Sequence, residues 1–155
     1  GAIVTAGNSS GLNDGSAAMV MCSAEFAERN GLKPLAVVRG WGVAASDPVE
    51  TGLGPIKASP KALNRAGISI DDLASIEVNE AFASVAVATI KQLGLDPEIV
   101  NVNGSGCSLG HPIACTGARM IVTMINELER IGGRRGLVTM CIGGGQGIAL
   151  AVERI

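Results

Sequence analysis

Apolar and polar positions follow two periods along this chain, and each change of period marks an element. Ala17 to Cys22 is a short continuous apolar run, the pattern of a strand buried on both faces, and Ser23 can cap a helix that ends at Gly31. Leu35 to Ala45 reads as the next strand, interrupted by Gly40 and Gly42 and closed by Asp47-Pro48. Ser59-Pro60 predicts a sharp helix start, with serine as cap and proline at the first helical position, and Gly67 a stop. Asp71-Asp72 opens a turn, Ala74 to Val78 reads as a strand, and a helix follows with Phe82, Val85, Ala86, Ile90 and Leu93 on its apolar face. Gly94 and Pro97 end it.

A glycine-rich loop, Asn101 to Gly110, then leads to a long helix expected from Pro112, with Ile113, Met120, Ile121, Met124, Ile125, Leu128 and Ile131 as its apolar series. Gly136 to Ile142 is a strand, Gly143-Gly144-Gly145 a turn, and Gly147 to Val152 a returning strand, so the chain closes on a hairpin. The order βαβαβαββ predicts an α/β fold. Its sheet is expected to be mixed and five-stranded, mostly parallel with an antiparallel last strand, and to carry helices on both faces. In such open sheets chemistry collects beyond the carboxyl ends of the strands, and Asn79, His111 and Cys141 fall at such positions.

Composition narrows the picture. The 155 residues suit one domain, spanning 1–155. Hydrophobic residues make up 47%, charged residues 17% and aromatics 2%, so the core is aliphatic and part of the surface is expected to face another domain or subunit. The net charge of −2, without a basic run, argues against a nucleic-acid partner. No apolar run approaches the ~20 residues of a membrane span. The chain opens on Gly1-Ala2-Ile3-Val4 without an initiator Met or leader, so a piece of a longer protein in a reducing compartment is expected. Cys22, Cys107, Cys115 and Cys141 form no C-x-x-C pair, and one histidine cannot complete a zinc site, so no metal is expected.

His111 is the single histidine, delivered by a glycine-rich turn to an expected helix N-terminus, where the helix dipole would keep the imidazole neutral near pH 7. It could otherwise be a buried histidine satisfied by backbone. Cys141 at a strand end before three glycines can serve as acid, base or nucleophile, or fill space as a small apolar residue. Asn79 between strand and helix can hold a water, with helix capping as the default, and Glu80 suits a partner of the helix dipole better than a general base. Cys115 reads as a core filler and Cys107 as a loop residue. A dinucleotide module would need a third glycine that Gly104-Ser105-Gly106 lacks.

Asn79-Glu80-Ala81-Phe82, Gly110-His111-Pro112 and Cys141-Ile142-Gly143-Gly144-Gly145-Gln146-Gly147, in this order, resemble the three C-terminal active-site motifs of the thiolases. The resemblance runs from Val4 to the final strand. It implies acyl transfer between coenzyme A thioesters, by Claisen condensation of acetyl-CoA or thiolysis of a 3-ketoacyl-CoA, in fatty-acid and lipid metabolism, with no bound cofactor. His111 would activate a nucleophilic cysteine and later stabilise a thioester oxyanion. Asn79 would position a water in that oxyanion site, and Cys141 would exchange the acetyl α-proton. The Gly143 N–H would serve a second oxyanion hole, Ser10 would contact the pantetheine arm, and Ala81 and Phe82 would line its channel.

The resemblance further implies an N-terminal thiolase domain, absent here, that carries the acylated cysteine. It also implies a homodimer or homotetramer, a cytoplasmic location or an organellar matrix, and no activity of this chain alone. Ala114 and Thr116 stand where family members commonly have Gly and Ser, and Ser105 where a second Gly is frequent, which bears on pocket width. A ketosynthase-type condensing enzyme would need a second catalytic histidine where Cys141 stands. A non-catalytic CoA-binding or assembly domain of the same fold is the alternative from another class.

Overall fold

Strand β1 (Ala36–Ala45) shows how residue size sets the packing in the computed structural model, which describes residues 3–155; the opening Gly1-Ala2 lies outside the described residues. Gly40, Gly42 and Ala44 are its buried positions, and the helix α2 (Gly54–Ala66) lies directly over them. A Cβ at Gly42 would come 2.7 Å from the Ala62 backbone N and closer still to the Ala58 carbonyl. Only glycine lets strand and helix approach so far. Helix α1 (Ala24–Arg29) precedes β1 with Ser23 as its cap, as expected.

Helix α2 begins at Gly54, six residues before the expected start, because Pro55 takes the first-turn position that suits proline. Ser59 is not a cap. It is buried and its hydroxyl donates to the Pro55 carbonyl at 2.7 Å, while Pro60 sits inside the helix. Gly67 ends it in a left-handed conformation, as expected. Next come β2 (Ser75–Val78), α3 (Ala83–Leu93), the short α4 (Gly106–Leu109) inside the expected loop, α5 (Thr116–Ile131), β3 (Arg135–Ile142) and β4 (Gln146–Arg154).

The sheet has four strands in the order β1-β4-β3-β2, not five. Ala17–Cys22 forms no strand: Val20 and Met21 are 89% and 72% exposed, and no neighbouring strand among the described residues offers them hydrogen-bond partners. An apolar run states that burial is wanted and not what supplies it. Nor is the sheet mostly parallel, since only β2 and β3 run parallel, while β4 is antiparallel to both its neighbours. The hairpin through Gly143-Gly144-Gly145 forms as expected.

Alternation along the central strands builds two cores. Leu137, Ala149 and Ala151 face α2 and α3, together with Ile76 and Val78. Val138 and Val152 face α5, where Met120, Met124 and Leu128 are fully buried four residues apart. Helices thus cover both faces, as predicted. The face of β1 and β4 beside α5 stays open, with Trp41 and Val43 about half exposed and Ile148 partly so. Among the described residues no helix is long and apolar enough to cross a membrane.

Candidate active site

Asn79 follows the last residue of β2, and its backbone N–H continues the ladder by donating to the Thr139 carbonyl of β3 at 3.0 Å. The side chain is fully buried and does not cap α3, whose cap position is Phe82. Asn79 Nδ2 instead lies 3.3 Å from His111 Nε2, and its Oδ1 is buried with no hydrogen-bond partner among the described residues. Cys141 is the last residue but one of the neighbouring parallel strand, at the same end of the sheet. The parallel pairing of β2 with β3 is therefore what sets the amide and the thiol on adjacent strand ends.

Two loops hold this corner. Asn101, in a left-handed conformation, accepts from the Val78 N–H at 2.8 Å and donates to the Val78 carbonyl at 2.9 Å, acting as a one-residue strand neighbour beside Asn79. The Ser105 hydroxyl donates to the same carbonyl at 2.9 Å and accepts from the Glu80 N–H at 3.3 Å. Glu80 accepts from the Asn101 amide and the Cys107 N–H, both at 3.3 Å, so it braces the loop and does not serve α3 as a dipole partner. These bracing roles are not visible in the sequence, because a loop Asn or Ser reads as a turn former whatever it holds.

His111 does not sit on a helix end. Pro112 to Cys115 form a turn, in which the Cys115 and Thr116 N–H groups both donate to the Pro112 carbonyl, and α5 begins only at Thr116. Ile113, expected on the apolar face, is consequently 65% exposed. Gly110 before it has φ +104°, and a Cβ there would meet Asn13 Oδ1 at 2.6 Å, the atom that accepts from the His111 N–H. The imidazole is held below its ordinary pKa as expected, but through burial first and the positive charge of Arg119 second.

Arg119 of α5 pairs with Glu77 of β2 at 3.1 Å, and the Glu77 carboxyl, almost wholly buried, is pushed up to about 7 by that burial against the opposing pull of Arg119. Because the folded carboxyl binds its proton more tightly than the unfolded one, this contribution to stability is complete below pH 4.5 and lost as pH rises through about 7. Glu77→Gln should therefore flatten the fall in stability across that interval, by no more than about 3 kcal/mol, in denaturant melts taken at several pH values. A variant melting in parallel with the parent at every pH would refute this.

The segment Ser9–Asn13 straps across the site. Ser10 donates its N–H to the Ala81 carbonyl at 2.9 Å, and Ser9 bridges Phe82, so Ser10, Ala81 and Phe82 are neighbours, with Phe82 44% exposed. Gly143 is exposed in the β3–β4 turn; its φ is not positive and a Cβ there would meet nothing within 4 Å. Burial raises the pKa of the Cys141 thiol, and that of Cys107 is raised by burial and then by the Glu80 charge.

A family model described as the C-terminal domain of thiolase matches residues 32–154. The chain is 59% identical to the beta-ketothiolase BktB of Cupriavidus necator over 152 residues, 98% of this chain and 39% of that protein. It is 48% identical to a cytosolic acetyl-CoA acetyltransferase of Mus musculus, over 97% of this chain and 38% of the relative. A crystal structure of the Bacillus anthracis acetyl-CoA acetyltransferase superposes with a TM-score of 0.95 at 52% identity, covering 98% of this chain and 39% of that one. Human mitochondrial 3-ketoacyl-CoA thiolase in complex with CoA superposes at 0.90 with 37% identity, over 98% of this chain and 38% of that one. The chain thus spans about two-fifths of the length of the relatives it matches.

Proposed function

Since the chain belongs to the thiolase family, as its C-terminal domain, we propose that it is the C-terminal catalytic half of an enzyme that transfers acyl groups between coenzyme A thioesters. The contact of Asn79 with His111 at 3.3 Å, beyond the ends of the parallel strands, carries this reading. In the first half-reaction His111 takes the proton of a nucleophilic cysteine supplied from outside this chain. The thiolate attacks the thioester carbon, the C–S bond to coenzyme A breaks, and Cys141 protonates the departing thiolate. The Gly143 N–H donates to the oxygen of the tetrahedral intermediate; an exposed glycine that its own fold does not require suits a close-lying ligand.

In the second half-reaction Cys141, now a thiolate, removes an α-proton from acetyl-CoA. The enolate oxygen is held by a ring N–H of His111 and by a water that donates to Asn79 Oδ1, the buried acceptor without a partner among the described residues. The enolate carbon attacks the acyl-cysteine, a C–C bond forms, and the cysteine leaves as thiolate. Thiolysis of a 3-ketoacyl-CoA is the reverse. Burial that raises the thiol pKa makes Cys141 the stronger base once deprotonated. Ser10, Ala81 and Phe82 form the pantetheine channel, and coenzyme A enters as substrate with no bound cofactor required.

Residues 1–155 act as one domain, for which the hydrogen bonds of the Ser9–Asn13 strap to the site are the support. The open apolar face of β1 and β4 is covered by the N-terminal thiolase domain, in a homodimer or homotetramer located in the cytoplasm. The whole polypeptide should cleave acetoacetyl-CoA with coenzyme A to two acetyl-CoA, whereas residues 1–155 alone should give no turnover above a Cys141→Ala control. Turnover by the isolated chain, or silence of the whole enzyme, would sink the reading.

A further inference from the structure

Thr116 opens α5 fully buried, and its Oγ1 lies 2.7 Å from His111 Nδ1 and 3.0 Å from the Pro112 carbonyl oxygen. On the other side of the ring Asn79 Nδ2 faces Nε2 at 3.3 Å. From these contacts we infer that Thr116 is a positioning residue, whose hydroxyl holds the proton of the neutral imidazole on Nδ1 and so keeps Nε2 unprotonated as the base. An amide NH₂ group has hydrogens and no acceptor, so Nε2 facing Asn79 Nδ2 must supply the lone pair. Nδ1 then carries the hydrogen and donates it to Oγ1. The hydroxyl, having accepted, passes its single hydrogen to the Pro112 carbonyl.

The chain of donors runs one way, from amide to imidazole to hydroxyl to carbonyl, and each member has a partner. The opposite tautomer would set two donors against each other at Nε2. A wrong tautomer cannot take a proton where the reaction delivers it, which is why a group fixing the far nitrogen matters to a histidine base. Thr116 also carries a γ-methyl that a serine would lack, and only its hydroxyl reaches the imidazole nitrogen.

The inference rests on the reading of His111 as the base, and its test separates the two. In the whole enzyme with ¹⁵N-labelled histidine, the signal assigned to His111 by its disappearance in His111→Ala should report protonation at Nδ1 at neutral pH. Thr116→Val keeps the branched shape and removes the hydroxyl. It should lose that preference and lower kcat about 100-fold with KM within about twofold, while Thr116→Ser should restore both spectrum and rate to within a few-fold. Protonation at Nε2 in the parent enzyme, an unchanged spectrum in Thr116→Val, or a serine variant as impaired as valine would overturn the role of Thr116. The parent spectrum alone decides this if the valine variant does not fold. Full activity of His111→Ala would instead sink the acid–base reading.

Discussion

Replacing Cys141 by alanine in the whole enzyme should abolish exchange of the acetyl-CoA α-hydrogens with solvent while leaving acylation of the nucleophilic cysteine detectable. The α-proton of a thioester is weakly acidic, so its removal needs a base in contact and a stabilised enolate together; either alone leaves most of the barrier standing. A positioned proton acceptor contributes roughly 10²- to 10⁴-fold, and overall turnover should fall by that amount. Acylation retains His111 and the Gly143 N–H. Incubation with acetyl-CoA in deuterated water, followed by mass spectrometry of both the thioester and the protein, reads the two steps separately. Since burial raises the thiol pKa, exchange by the parent enzyme should climb with pH beyond neutrality as the thiolate fraction grows, and this slope should vanish in Cys141→Ala. Deuterium uptake at the parent rate by the alanine variant would remove Cys141 from the role of base.

The residues best legible in the sequence were those whose position follows from strand ends. Val78-Asn79 and Cys141 are placed by short apolar runs that stop at polar or glycine-rich segments, and β2 and β3 pair in parallel, as the open-sheet reading required. Helix stops at Gly67 and Gly94 were legible too, because a left-handed residue after an apolar stripe leaves few alternatives. Starts were harder. Two prolines, Pro55 and Pro60, compete for the beginning of α2, and local preference cannot say which wins when Ser59 can bond back to Pro55 inside the helix.

Most other positions relative to neighbours were not legible. Ala17–Cys22 has the composition of a buried strand and lies exposed, and β4 inserts between β1 and β3, which leaves β2 and β3 as the one parallel pair in a mixed sheet expected to be mostly parallel. The turn at Pro112–Cys115 displaced α5 by one helical turn, and that displacement brings Thr116 beside the imidazole. Neither Arg119 nor Glu77 carries a motif. They act on His111 and on stability through burial and charge, which three-dimensional proximity alone creates.

His111→Ala should cost more than any other single change in this half, because it removes one group from both half-reactions. In the first, the nucleophilic cysteine loses the acceptor for its proton and attacks only as the small thiolate fraction present at neutral pH. In the second, the enolate loses a ring N–H, and removing one preorganised donor of this kind costs roughly 10²- to 10³-fold by itself. Because the two losses fall on successive steps, the more impaired step sets turnover, which should drop by roughly 10³- to 10⁴-fold. Asn79 remains in the variant, so the oxyanion site keeps its water-holding amide while the base is gone. Acylation from acetyl-CoA, followed by mass spectrometry, should slow sharply and recover as pH rises toward the pKa of the nucleophilic cysteine, since an external base then replaces the imidazole. The parent, whose imidazole is neutral already below its ordinary pKa, should show no such recovery over the same range. Equal acylation rates for parent and variant at neutral pH would mean that the half-buried imidazole beside Asn79 is a structural histidine after all.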